Sequence, residues 1–288
     1  MLKQRIITAL VLAPLAILAI FFLPLTFFST FILTVMAIAA WEWGPLMGFE
    51  NKRRRLFFVI LTSVLISMLW YFYPLSTLWG DGAELKAPVL LVLWLAVAWW
   101  LLSALLTFLY PRCSRFWSSH RSVKAIFGWL TLVPTWLAFV VLRANEYSND
   151  SYHGAQLIMF LFMLVWSADV GAYFVGKSIG KHKLMPNVSP GKTIEGFLGG
   201  VVFACLLVVI TGLLLEWSST QFFQVVLVTI LITTISALGD LNESMFKRQA
   251  GVKDSGSILP GHGGVLDRID SLTATAPIFA LCYAYLGT

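Results

Sequence analysis

Apolar residues run in long blocks along this chain, and polar residues fall between the blocks. Nine apolar segments stand out, roughly 6–23, 25–47, 56–73, 87–109, 123–142, 155–176, 196–215, 220–239 and 271–287. Several approach the ~20 residues a helix needs to cross the hydrocarbon core of a bilayer. The pattern predicts an all-α integral membrane protein, a polytopic bundle of about nine transmembrane helices. Segments 6–23 and 25–47 abut, as do 196–215 and 220–239, so each pair reads as a helical hairpin. The first segment follows a short basic stretch, as in a signal peptide. A second apolar block follows almost at once, with no clear cleavage site, so the first is expected to be retained as a helix.

Composition supports the membrane class. Hydrophobic residues make up 59% of the chain and charged residues only 12%, against about 25% charged in soluble domains. A net charge of +6 raises the question of a nucleic-acid partner, and its distribution answers it. With the N-terminus placed inside, every Lys and Arg except Lys86 and Arg143 falls on the inner side, from Lys3 and Arg5 through the run Lys52–Arg55 to Arg268. That is the bias that sets membrane topology, and it argues for N-in, C-out. No nucleic acid is implied. Cys113, Cys205 and Cys282 are scattered and form neither a disulfide frame nor a thiolate metal spacing.

The chain divides by character. Residues 1–150 read as N-terminal transmembrane helices, a scaffold with possible dimer contacts, and their Trp and Tyr gather near span ends. Residues 151–288 read as a catalytic transmembrane region with inner loops rich in Gly, Ser and Lys. From about residue 155 onward polar groups enter the spans, and ionisable groups in a span are costly and usually functional.

The stretch Ser244–Asp270 is the densest in chemistry. Asp240, Glu243, Ser244 and Lys247 follow the eighth span at spacings that share one helical face if the helix runs past Gly239. An ordinary helix end emerging into water fits the same residues. Asp267 and Asp270 lead into the ninth span, where they can face one cation or cap the helix. A loop folding back between the two helices would bring Asp240 and Asp267 together. Such a set, with Asp270, suits Mg²⁺, which takes one or two protein carboxylates and shares its other positions with water and phosphate. Lys247, Arg248, Lys253 and Arg268 can neutralise a polyphosphate, or form a solvated basic face. Gly261, Gly263 and Gly264 would let backbone N–H groups approach phosphate oxygens, and His262 sits among them.

Two further elements point the same way. Ser189-Pro190-Gly191-Lys192-Thr193 precedes Glu195 at a helix start, a place suited to an anion. It resembles the end of a Walker A loop but is not one, because Pro186 stands where the first glycine belongs. In the sixth span, Trp166, Asp169, Tyr173 and Gly176 stack on one face. Asp169 is expected to partner a metal, a nucleotide or a lysine, or else a structural polar group.

Here the chain closely resembles the phosphatidate cytidylyltransferases, also called CDP-diacylglycerol synthases. Ser244 to Asp270 carries that family's C-terminal pattern: Ser, any, apolar, Lys-Arg, four residues, Lys-Asp, then His-Gly-Gly, apolar, any, Asp-Arg-apolar-Asp. The Trp166–Gly176 and Ser189–Gly200 segments look like that family too. The resemblance implies CTP and phosphatidate as substrates, CDP-diacylglycerol and pyrophosphate as products, Mg²⁺, and a homodimer in the bacterial cytoplasmic membrane. It associates Asp240 and Asp267 with the metal centre and leaves open a second, monovalent cation. In this reading Asp240, Asp267, Lys247 and Arg268 are catalytic. Ser189, Lys192, Ser244, Arg248, Lys253, His262, Gly263, Gly264 and Asp169 border the substrates, with the site facing the cytoplasm. The alternatives are a CTP-dependent polyprenol or dolichol kinase and an ion-coupled transporter.

Overall fold

The computed structural model describes residues 2–80 and 84–287, and within the first helix the side chains at 4, 8 and from 10 onward. The side chains of Lys3 and Arg5, counted above in the basic flank, lie outside the described residues. The helices are α1 Leu2–Phe22, α2 Leu25–Leu46, α3 Lys52–Phe72, α4 Ala87–Phe108, the short α5 Ser114–Ser118, α6 Arg121–Ala144, α7 His153–Ile179, α8 Ile194–Leu214, α9 Ser219–Gln249 and α10 Leu266–Leu286. Between α7 and α8 lies an antiparallel hairpin, β1 Lys183–Met185 and β2 Ser189–Thr193.

Eight of these helices, α2–α4 and α6–α10, are long and apolar enough to cross a membrane. The ninth expected span falls on α1, whose described apolar stretch, Leu10–Phe22, is shorter. The all-α polytopic class holds. Large apolar side chains such as Phe22, Phe72, Leu101, Leu213 and Leu214 point outward and are largely exposed, as helices facing lipid require.

Local sequence explains the boundaries. Asn51 caps α3 by accepting the Arg53 N–H at 2.8 Å, so the basic run Lys52–Arg55 forms the first turn of α3 rather than a free loop. Ser218 and Gln221 form a reciprocal capping box that starts α9. Thr193 caps α8 through its hydroxyl, which accepts from Gly196 N at 3.1 Å. Gly287, at φ +63°, closes α10 in a left-handed turn.

α6 is the most deeply buried span, with Leu132, Trp136, Val140 and Leu142 almost fully enclosed. It packs against α2, α3, α4, α7 and α10. Arg143, one of the two cations outside the inner set, is buried at its end. Its guanidinium donates to Ser151 O at 2.6 Å and Leu23 O at 3.4 Å and lies over the rings of Phe28 and Tyr147. Arg143 thus ties three segments together. Of the two expected hairpins, α8 and α9 do pack together, whereas α1 makes its larger contact with α7.

The tightest pair is α7 with α8. A side chain on Gly199 would strike Val175, and one on Gly200 would come 2.7 Å from the Ala168 carbonyl. Small residues at such crossings let two helices approach closely in lipid. α9 runs on past Gly239 to Gln249, and α10 starts at Leu266. The 250–265 loop folds back between them, so both helices present polar first or last turns at the same end as β2.

Candidate functional site

A cavity of about 640 Å³ lies among α7, α8, α9, α10 and β2. Its lining is charged at Asp169, Lys192, Asp240, Lys247, Asp254, Asp267, Arg268 and Asp270. It is apolar at Val165, Trp166, Phe197, Val201 and Leu272. Seven of the charged residues singled out from the sequence therefore meet here: Asp169, Lys192, Asp240, Lys247, Asp267, Arg268 and Asp270.

The helical continuation of α9 places Asp240, Glu243, Ser244 and Lys247 on one face, as the spacing predicts. The Ser244 hydroxyl donates to Asp240 Oδ1 at 3.3 Å. Lys192 arrives from β2, and its Nζ lies 2.6 Å from Asp240 Oδ2. Lys247 Nζ reaches across to α10, 2.7 Å from Asp267 Oδ1, and stands 3.2 Å from Glu243 Oε1. Asp267 is the most heavily engaged carboxylate. Besides Lys247 it accepts Ser255 N–H at 3.0 Å and Gly264 N–H at 2.7 Å. Asp270 accepts the Ser271 N–H at 2.7 Å and otherwise faces the cavity. The long, mostly apolar run before Asp169 predicts burial in the bundle, but Asp169 is instead exposed to this cavity. Asp240 repels both Asp169 and Asp270, and Lys192 offsets both.

Ser189, Ser244, Arg248, Lys253, His262, Gly263 and Gly264 do not line the cavity. Arg248 donates from Nε to Val188 O at 3.2 Å, holding α9 to the β-hairpin beside Ser189. Lys253 is exposed on the loop. The His262 N–H donates to Leu259 O at 3.0 Å, and Gly263 N–H to the same carbonyl at 3.2 Å. The amides of Gly263 and Gly264 are thus spent inside the loop, on Leu259 and Asp267. They shape the carboxylate site here rather than cradling an anion directly. Gly263 needs its lack of a side chain: its φ is +88° and a Cβ would lie 2.7 Å from Asp267 Oδ2.

Sequence reasoning left four groups out of the site. Glu243 stands behind Lys247, Asp254 lines the cavity, and Lys177 lines it near Tyr173. Glu42, on α2, accepts the Leu266 N–H at 2.8 Å. A signal for Glu42 was present, since it is a carboxylate inside an apolar span, flanked by Trp41 and Trp43.

Among the described residues, no three His, Cys, Asp or Glu side chains converge as a ready-made metal cage. Mg²⁺ does not need one, because it keeps waters and substrate oxygens in its shell. The carboxylates of Asp169 and Asp270, each repelled by Asp240, are with it hard oxygen donors, which fit such an ion.

A model described as the cytidylyltransferase family matches residues 3–286. The phosphatidate cytidylyltransferase of Haemophilus influenzae is 39% identical, over 99% of this chain and 100% of its own. That of Pseudomonas aeruginosa is 44% identical, over 97% of this chain and 96% of its own. That of Bacillus subtilis is 43% identical over 52% of this chain and 55% of its own.

Proposed function

The chain belongs to the cytidylyltransferase family, and we propose that it transfers the cytidylyl group of CTP to phosphatidate, giving CDP-diacylglycerol and pyrophosphate. The observation that carries this reading is the composite cavity. Its charged lining suits a nucleoside triphosphate, and its apolar lining suits the acyl region of a lipid whose phosphate must meet that nucleotide.

The phosphate monoester of phosphatidate attacks the α-phosphorus of CTP. A new P–O bond forms there, the bond to the β-phosphate oxygen breaks, and pyrophosphate leaves with its electrons. The nucleophile is already anionic near neutral pH, so no Ser, Cys or general base is required. The work of the residues is positioning and charge neutralisation. Lys192, Lys247 and Arg268 hold phosphate oxygens. Asp267 and Glu243 fix Lys247 from behind, and Asp240 fixes Lys192. Asp240 and Asp270, with Asp267 beside them, would hold Mg²⁺, which when bound neutralises the leaving pyrophosphate and polarises the α-phosphoryl group.

The enzyme is further proposed to act as a homodimer in the bacterial cytoplasmic membrane, with the charged end of the cavity on the cytoplasmic side. The basic residues gathered at that end support the orientation, and the family resemblance supports the dimer.

The test follows the label. Purified protein is incubated with phosphatidate, Mg²⁺ and CTP labelled at either the α- or the γ-phosphorus. Label in the lipid from α-labelled CTP, with γ-label in pyrophosphate, is expected. Transfer of γ-label to lipid would overturn the reading in favour of a CTP-dependent lipid kinase.

A further inference from the structure

Glu42 comes from the half of the chain that reads as scaffold, and it is only 2% exposed. A buried carboxylate at membrane depth is costly, and an apolar side chain would serve for simple packing of α2 against α10. Its placement gives the reason. Val265, the residue just before α10, offers no side-chain cap. Glu42 Oε2 supplies that cap from another helix by accepting the Leu266 N–H at 2.8 Å.

The loop before α10 is shaped around this carboxylate. A side chain on Gly256 would collide with Glu42 Oε1, and a Cβ on Gly264 would lie 2.5 Å from Oε2. Gly264 meets Glu42 on one side and on the other donates its N–H to Asp267 Oδ2 at 2.7 Å. The same loop is braced further along by α1, where Thr8 Oγ1 donates to Pro260 O at 2.9 Å. Glu42 is therefore one hydrogen bond and one peptide unit from the carboxylate that holds Lys247.

We propose that Glu42 is a positioning residue for the reaction, setting through Leu266 and Gly264 the pose of Asp267 and hence of Lys247. The inference rests on the reading of the cavity as the reaction site. Glu42 touches no substrate. It acts through the start of α10, and its loss should displace the catalytic geometry more than the binding of CTP.

The experiment uses the full-length protein in mixed micelles with phosphatidate and α-labelled CTP, comparing Glu42→Ala, Glu42→Gln and Gly264→Ala, with Asp267→Asn as control. Glu42→Ala should lower kcat about 100-fold, the scale of a small misplacement, while changing KM for CTP less than about threefold. Glu42→Gln still offers an oxygen to Leu266 N–H and should restore most of that loss. Gly264→Ala, with Glu42 intact, should lower kcat in the same way and decides the matter if Glu42→Ala does not fold. A kcat close to wild type in folded Glu42→Ala or Gly264→Ala overturns the inference. So does a loss confined to KM, or a Gln variant as impaired as Ala. Inactive Asp267→Asn beside near-normal Glu42→Ala overturns this inference alone. Active Asp267→Asn overturns the reading of the site and this inference with it.

Discussion

Lys192 on β2 places its Nζ 2.6 Å from Asp240 on α9, joining two elements that sequence separates by a whole membrane span. Both residues line the cavity, and both side chains keep about a third of their surface exposed, 29% and 35%. An ion pair that wet contributes little to stability, about 0–1 kcal/mol. Lys192→Gln should therefore leave the thermal unfolding of the detergent-solubilised protein nearly unchanged. Turnover should fall about 100-fold or more, the usual effect of removing one donor to developing charge. A Lys192→Gln protein with normal kcat would place Lys192 outside the phosphate-binding set.

Asp267 is the opposite case. Its side chain is only 5% exposed and is held by Lys247, Ser255 N–H and Gly264 N–H. Asp267→Asn keeps an acceptor for one amide but puts an NH₂ group near the other donors and leaves Lys247 with Glu243 alone. Breaking a buried pair costs about 3–5 kcal/mol, so the variant should melt at a markedly lower temperature while still inserting in the membrane. Activity should be abolished below that temperature. Near-normal turnover at saturating Mg²⁺ would remove Asp267 from the site.

The contrast between these two residues shows what the chain disclosed by itself. Hydropathy was enough for eight of the nine expected spans, because a helix in lipid must be apolar over its whole crossing length. Spacing was enough for the shared face of Asp240 and Lys247, because a helix that continues past Gly239 repeats every few residues. What stayed hidden was depth. Asp169 is written inside an apolar run but opens to a cavity that four helices and a hairpin create together. Pairing was hidden as well, since nothing local shows that Lys192 meets Asp240, or that the amides of the glycine loop turn inward to Asp267. Glu42 stands 224 residues from the amide it caps, a relation that only folding reveals.

The α7–α8 crossing offers a test of how the cavity is held open. Gly199 lies against Val175, with no room for a side chain on a rigid helix. Gly199→Ala should cost about 1–3 kcal/mol of stability by overpacking. Because both helices line the cavity, it should also lower turnover. Val175→Gly removes all the side-chain atoms that a new Cβ would strike, so the Gly199→Ala/Val175→Gly protein should regain activity and much of the stability, less the roughly 0.5–1 kcal/mol that a glycine costs inside a helix. A double variant no better than Gly199→Ala would mean that the crossing distance is set elsewhere.

Arg54 provides the control on the first half of the chain. It is exposed in the first turn of α3, and its charge is read as a topology anchor. Arg54→Gln should keep kcat within about twofold of wild type, as surface substitutions do. A large loss of turnover in correctly inserted protein would mean that the reaction site extends to the α2–α3 turn.

The lysine that holds Asp240 also makes a prediction about metal binding that does not depend on turnover. A divalent cation drawn to Asp240 and Asp270 must compete with Lys192 for Asp240. Replacing that lysine should then raise the affinity for metal alone, by about fivefold if a partly exposed ion pair is worth ~1 kcal/mol. Mn²⁺ is a spectroscopic substitute for Mg²⁺, and its free fraction can be read by electron paramagnetic resonance with no nucleotide present. Lys192→Gln should bind Mn²⁺ more tightly than wild type while turning over more slowly. Asp240→Asn should bind it more weakly, and Asp270→Asn likewise. Opposite signs for affinity and turnover in Lys192→Gln are the signature of a residue that neutralises the carboxylates before substrate arrives and the phosphates afterwards. If Mn²⁺ affinity is unchanged in both Asp240→Asn and Lys192→Gln, the metal lies elsewhere and the assignment of Asp240 to it fails.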